Sequence, residues 1–268
     1  MRVLFVTNMW PDEERPWYGS FVKSQADSLE RLGVDLDVLA IRGYAGGGAY
    51  ARATASVGRL NFRKREHDLV HAHYGHSGVV GRMHLRAPLI VSYCGDDLLG
   101  TRTPDGGLTR RSRAEVAVFR QLARVSAATI TKSQEMEAVL PAAARARNHV
   151  IPNGVDLDRF RRIDRAEARR RLGWDPDEST ALFLANPEIA AKNYPLAAAT
   201  CERLPDVRLR VAHGLPYSDV PLLLSAADAL LFTSRSEGSP NVVKEAMAAE
   251  LPVVSTAVGD VPERLAGV

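Results

Sequence analysis

Residues 234–247 read Ser234-Arg235-Ser236-Glu237-Gly238-Ser239-Pro240-Asn241-Val242-Val243-Lys244-Glu245-Ala246-Met247. The stretch follows an apolar run at 229–233 that reads as a strand, so its order is strand, polar turn, helix. Pro240 suits the first helical position, where no amide hydrogen is needed, and Ser239 suits the N-cap. The free amides and the positive dipole end of such a helix make an anion site fit for a phosphate. Glu237 in the turn and Glu245 on the helix have seven residues between them. A phosphate-ready helix start flanked by two hydroxyl-binding carboxylates suits a nucleotide sugar.

The same strand–helix order extends outward in both directions. Strands are predicted at 3–7, 35–41, 69–73, 89–93, 129–131 and 149–152, then at 181–185, 208–212, 229–233 and 252–255. Helical patterns lie between them at 20–32, 50–65, 76–85, 108–125, 133–140, 165–172, 194–204, 220–226 and 242–249. Such alternation argues for parallel sheets covered on both faces. Six strands precede residue 154 and four follow it, which predicts an α/β protein of two doubly wound domains, 1–153 and 154–268. Asn153-Gly154 is the turn and hinge signal between them. Ligands of open α/β sheets bind at the carboxyl ends of the strands, so two facing sheets would hold a ligand in the cleft between them.

The 268 residues are 46% hydrophobic and 25% charged, a globular composition. A net charge of +3 is too small to point to nucleic acid. Cys94 and Cys201 form no disulfide framework and no metal-type Cys/His spacing occurs, which fits a reducing cytoplasm. The chain opens on a strand, so no signal peptide is expected, and no apolar run reaches the ~20 residues of a spanning helix. Gly46-Gly47-Gly48 does not follow a strand in the dinucleotide-binding arrangement and reads as a plain connector. Arg161, Arg162, Arg165, Arg169, Arg170 and Arg171 form a basic helix face, either solvated or in contact with an anionic membrane at the inner face.

Several further motifs accompany the first. They are Trp17-Tyr18-Gly19-Ser20, His71-Ala72-His73-Tyr74-Gly75, Gly95-Asp96-Asp97, Ile151-Pro152-Asn153-Gly154-Val155-Asp156, Lys192-Asn193-Tyr194 and Gly259-Asp260-Val261-Pro262-Glu263. With them, nearly the whole chain resembles the retaining glycosyltransferases of family four, which have the GT-B fold of two Rossmann-like domains. The resemblance implies transfer of a sugar from a nucleotide-diphosphate donor to an acceptor hydroxyl with retention of configuration, and without a metal or other cofactor. It implies that Lys192 and the amides of Val242 and Val243 bind the diphosphate. Glu245 would accept from the ribose hydroxyls and Glu237 from those of the donor sugar. Gly238, Ser239, Pro240 and Asn241 would pack close to the donor, and Gly19 would let backbone approach it. Asp96 or Asp97 would touch sugar while the other caps its turn. His73, with Tyr74 beside it, would either meet the acceptor or pack in the core, whereas His71 packs.

Three departures qualify that carry-over. Many relatives place a histidine where this chain has Cys94, and a thiol cannot supply the same positive charge; a space-filling role suits it better than a nucleophilic one. Many place an arginine where this chain has Asn186, so donor binding would lose a cation. The sequence stops at Val268, which predicts a second sheet lacking an edge strand and cover. The leading expectation is a glycosyltransferase acting on a soluble or lipid-linked sugar. A nucleotide-sugar epimerase of the same fold and a non-catalytic nucleotide-sugar binder remain open beside it.

Overall fold

The computed structural model describes residues 1–46, 48–63, 66–101, 103 and 107–267. Gly47 of the glycine run, the end at Arg65 of the second predicted helix, and Val268 lie outside the described residues.

The chain divides into two compact units, one ending at Asn153 and the other beginning at Gly154 and also taking in Glu13–Trp17. In the first unit the order is β1 (Arg2–Thr7), α1 (Ser20–Arg31), β2 (Asp35–Ala40), α2 (Gly48–Leu60), β3 (Leu69–His73), α3 (Gly75–Gly81) and β4 (Leu89–Ser92). There follow α4 (Asp96–Leu99), α5 (Arg110–Val125), β5 (Ala128–Thr131), α6 (Gln134–Ala138), α7 (Ala142–Arg145) and β6 (Asn148–Val150). The second unit runs α8 (Arg165–Leu172), β7 (Ser179–Leu184), α9 (Tyr194–Glu202), β8 (Val207–Ala212), α10 (Val220–Ala226), β9 (Ala229–Phe232), α11 (Asn241–Ala248), β10 (Val253–Ser255) and α12 (Val261–Leu265).

All ten predicted strands are present. The six in the first unit form one parallel sheet, β2-β1-β3-β4-β5-β6, and the four in the second form another, β10-β9-β7-β8. Their sequences explain the pairing. Central strands such as Val3–Val6 and Ala181–Phe183 are apolar without alternation because helices cover both faces. Each sheet reverses its winding once, at β1/β3 in the first and at β7/β9 in the second. Such a switch point opens a crevice outside the carboxyl ends of the strands.

The basic face of α8 differs from its expected form. Arg169 is 1% exposed and its guanidinium donates to Ala226 O (2.9 Å), Asp175 O (3.1 Å), Pro176 O (2.8 Å) and Asp228 Oδ2 (2.8 Å). Arg165 also pairs with Asp228, and Arg162 pairs with Glu250. A buried guanidinium is tolerated only when its donors are met. Half of this arginine run therefore tethers α8 to its own unit and does not form a free cationic stripe.

Candidate active site

The second unit's switch point gathers residues expected to bind the donor. The loop after β7 carries Lys192 and the loop after β9 carries Glu237, and Lys192 Nζ lies 2.6 Å from Glu237 Oε1. Ser234 Oγ donates to the same carboxylate oxygen at 2.9 Å. Thr233, at the end of β9, donates to the carbonyls of Lys192 and Asn193 at 3.1 Å each, and Arg235 N donates to Ala191 O at 2.8 Å. Two loops distant in sequence are thus knitted into one surface. Arg235 Nη2 donates to Asn193 Oδ1 at 3.1 Å, on the loop that carries Lys192. Asn186 instead makes a turn, its Oδ1 accepting from Glu188 N at 2.9 Å.

The helix start differs in detail from its expected form. α11 begins at Asn241, with Pro240 as the N-cap (φ −68°, ψ 124°) and no side chain capping it. Ser239 does not cap: its hydroxyl donates to Asp260 Oδ2 (2.7 Å) and accepts from Lys244 Nζ (3.1 Å). Being 9% exposed with its hydroxyl engaged, Ser239 offers little to a sugar. The N-cap of α11 makes no side-chain cap bond, and a helix start of this kind carries a positive dipole end that favours an anion.

Asp260 fastens this turn. It is 5% exposed, accepts from Arg264 Nε at 2.9 Å, and its own amide donates to Gly238 O at 3.2 Å. Gly259 beside it has φ +53°, and a Cβ there would stand 2.4 Å from Gly238 O. Only glycine permits that approach.

Glu245 is 5% exposed and its Oε1 accepts from Tyr217 at 2.7 Å. Burial pushes its carboxyl up to about 7, against the opposing pull of the Tyr217 hydroxyl and the Lys244 charge. Tyr217 is itself pushed well above its usual value, first by burial and then by Glu245, so it stays a donor. No spacing in the sequence signals Tyr217, because it meets Glu245, 28 residues on, only through the fold; Ser234 and Asp260 lie inside the quoted motifs but carry no role there.

At the carboxyl ends of the first sheet the predicted residues turn inward. His73 is 1% exposed, its Nε2 is 3.0 Å from Gln25 Oε1, and its ring packs against Phe5 and His71. His71 pairs through Nε2 with Ser92 Oγ at 2.8 Å. Burial, reinforced by nearby Lys132, pushes His71 down to about 3, and burial pushes His73 well below its usual value. His73 is therefore a neutral core residue and not an acceptor contact. Asp97, expected on the acceptor side, is 1% exposed and accepts from Cys94 N (3.0 Å), Gly95 N (3.0 Å) and Gly75 N (3.1 Å). It ties the loop after β4 to the start of α3, and burial pushes it up to about 7 despite those amides. Cys94 is half-buried, and burial drives its thiol up, which fits the space-filling reading better than a nucleophilic one.

Asp96 is exposed and hydrogen-bonds the Tyr74 hydroxyl, so this pair stays at the surface of the strand ends. Gly19 has φ +69°, and a Cβ there would stand 2.2 Å from the Met9 carbonyl carbon. The crossing of Met9 explains that glycine without any ligand. Sequence reasoning also passed over Lys132. It is 4% exposed at the end of β5 and donates to Ile151 O at 3.4 Å. Burial lowers its affinity for a proton while Cys94 and Asp97 raise it.

The chain belongs to glycosyltransferase family 4: that family's profile matches residues 3–159, and the profile of glycosyl transferases group 1 matches residues 190–267. It is 31% identical to the D-inositol 3-phosphate glycosyltransferase of Mycobacterium sp. (strain KMS), over 73% of this chain and 53% of that protein, so it spans about half of that relative. Among solved structures it is similar to sucrose-phosphate synthase from Thermosynechococcus elongatus, with a TM-score of 0.72 and 17% identity over 97% of this chain and 82% of that one. It is also similar to HepE of Anabaena in complex with UDP and glucose, with a TM-score of 0.69 and 19% identity over 98% of this chain and 82% of that one. The fold is accordingly GT-B.

Proposed function

We propose that this glycosyltransferase moves a sugar from a nucleotide-diphosphate donor to a hydroxyl acceptor with retention of configuration, in the synthesis of a polysaccharide, glycolipid or other glycoconjugate. The observation that carries the reading is the pair of carboxylates around the uncapped start of α11, with Lys192 held against Glu237. As the sugar departs, negative charge builds on the diphosphate. Fixed amides and cations aimed at that charge lower the barrier. Lys192, the first turn of α11 and Arg235 supply them, so the chemistry needs no metal; Arg235 takes over from the cation that Asn186 does not provide.

On arrival of the diphosphate, Lys192 shares its charge between phosphate and Glu237. Glu237 then has an oxygen to accept from a sugar hydroxyl. Glu245, oriented by Tyr217, accepts from the ribose. On the other unit, Asp96 and Tyr74 meet the acceptor. The setting is the cytoplasm, where nucleotide sugars are used. Among the described residues no helix is long and apolar enough to cross a membrane.

The test is incubation of the chain with UDP-, GDP- and ADP-sugars, with the product's anomeric configuration read by NMR. Donor consumption with retention, lost in Glu237→Ala, supports the reading. Donor epimerised without an acceptor would place the chain among nucleotide-sugar epimerases. Binding without turnover would make it a non-catalytic binder.

A further inference from the structure

The amino ends of the first sheet, opposite the strand ends that carry Tyr74 and Asp96, present an unusual surface. The connections entering β3, β4, β5 and β6 all lie along this edge because the strands are parallel. On it Phe62 is 91% exposed, Leu85 69% and Met83 42%. They are held together: Asn61 Nδ2 donates to Met83 O (2.7 Å), Leu85 N donates to Asn61 Oδ1 (2.8 Å), and Arg86 Nη1 donates to Arg63 O (2.6 Å). The apolar tip is therefore a fixed feature of two locked turns.

Its charge is predominantly basic; the acids at the entry to β3 are Glu66, which is exposed, and Asp68. Residues 48–63 and 75–90 contain Arg52, Arg59, Arg63, Arg82 and Arg86 and no aspartate or glutamate. Asp68, just beyond, accepts from Arg2 N at 2.9 Å. Next to the tip a groove of about 290 Å³ is lined by Arg82, Arg124 and Arg147 together with Pro88, Val125 and Ser126, again without an acid. Arg124 donates to Gln121 Oε1 (2.7 Å) and Arg147 to Arg124 O (2.8 Å). None of the three arginines pairs with a carboxylate among the described residues. Guanidinium groups grip phosphate oxygens well. Exposed apolar side chains rimmed by arginines add hydrophobic insertion to charge attraction, the two contributions that hold a peripheral protein on an anionic bilayer.

We propose that this edge docks on an anionic phospholipid surface, with Phe62, Met83 and Leu85 entering the interface and the Arg82–Arg124–Arg147 groove taking a lipid phosphate. This assigns the membrane contact to the first unit and not to α8, where Arg165 and Arg169 pair with Asp228. It leaves the carboxyl ends of the first sheet's own strands, with Tyr74 and Asp96, uncovered.

The experiment is co-sedimentation of the full chain with vesicles of phosphatidylcholine containing about a third phosphatidylglycerol, against pure phosphatidylcholine. Binding is expected only with the anionic lipid and is expected to fall as salt shortens the Debye length. Each of Arg82→Gln, Arg124→Gln and Arg147→Gln should weaken partition about fivefold. Phe62→Ser should weaken it while leaving the melting temperature unchanged, since Phe62 is exposed. Arg161→Gln, on α8's side, should leave binding intact. The proposal is overturned if the chain does not sediment, if Arg161→Gln and not the groove variants abolishes binding, or if inorganic phosphate binds the groove while vesicles do not. The readout involves no nucleotide sugar, so it fails or succeeds independently of the proposed transfer.

Discussion

At the carboxyl ends of β3, β4 and β5, His71, His73, Asp97 and Lys132 are each at most 6% exposed, whereas Lys192 and Glu237 beyond β7 and β9 keep 31% and 18% of their side chains open. Both sets occupy the end of a parallel sheet where ligands of such folds bind. Their chemistry has diverged through burial. In the first unit Asp97 is held by backbone amides and the histidines are neutral, while His73 Nδ1 and the Lys132 ammonium stay buried with little to bond. In the second unit two charges pair at the surface, where an arriving anion can compete for the lysine. The contrast singles out Lys192 and Glu237 as the strand-end pair whose partners an incoming ligand can replace.

The largest test of that contrast is Lys192→Ala. Losing a cation aimed at developing charge should lower kcat/KM for donor turnover by roughly 10²–10³-fold, about 3–4 kcal/mol. A change under threefold would show that the Lys192–Glu237 pair is structural, like its counterparts in the first unit.

The next test uses the buried carboxyl of Glu245. Its folded value is raised from 4.5 to about 7. Between those values the folded chain holds a proton that the unfolded chain has released, so stability falls as pH rises through that window and is level above it. The slope is worth at most about 3 kcal/mol. Glu245→Gln keeps an acceptor for Tyr217 and should make the fall of the melting temperature between about pH 5 and about pH 8 shallower, leaving the share of Asp97, which burial raises into the same range. An unchanged slope would mean that Glu245 ionises freely, as an exposed residue does.

The smallest effect is expected in the first unit. Lys132 is a buried ammonium with one long hydrogen bond, to Ile151 O at 3.4 Å. Replacing such a charge by an apolar isostere is often neutral or stabilising. Lys132→Met should leave stability unchanged or raise it by about 1 kcal/mol, read by denaturant unfolding. A loss of several kcal/mol would reveal an ion pair with Asp97 strong enough to organise the strand ends.

Much of this was readable before any coordinates. Short runs rich in apolar residues between helical patterns located every strand: central ones such as β1 and β7 are apolar because both faces are covered, while the edge strands β2 and β8 alternate with charged residues. Short helices such as α4 and α7 were not located, since four residues carry no periodicity. Around α11 the carboxylates were found but the cap was misread: Ser239 has the right side chain, yet Asp260, 21 residues on, claims its hydroxyl.

Local order along the chain determined the α/β alternation, the parallel sheets and the helix that begins after Pro240, because backbone preference and hydrophobic period act over a few residues. Tertiary structure alone decided which polar groups face solvent and which face each other. His73 and Lys192 look equally reactive as letters. Solvation separates them, and solvation depends on neighbours brought from Gln25 in one case and Glu237 in the other.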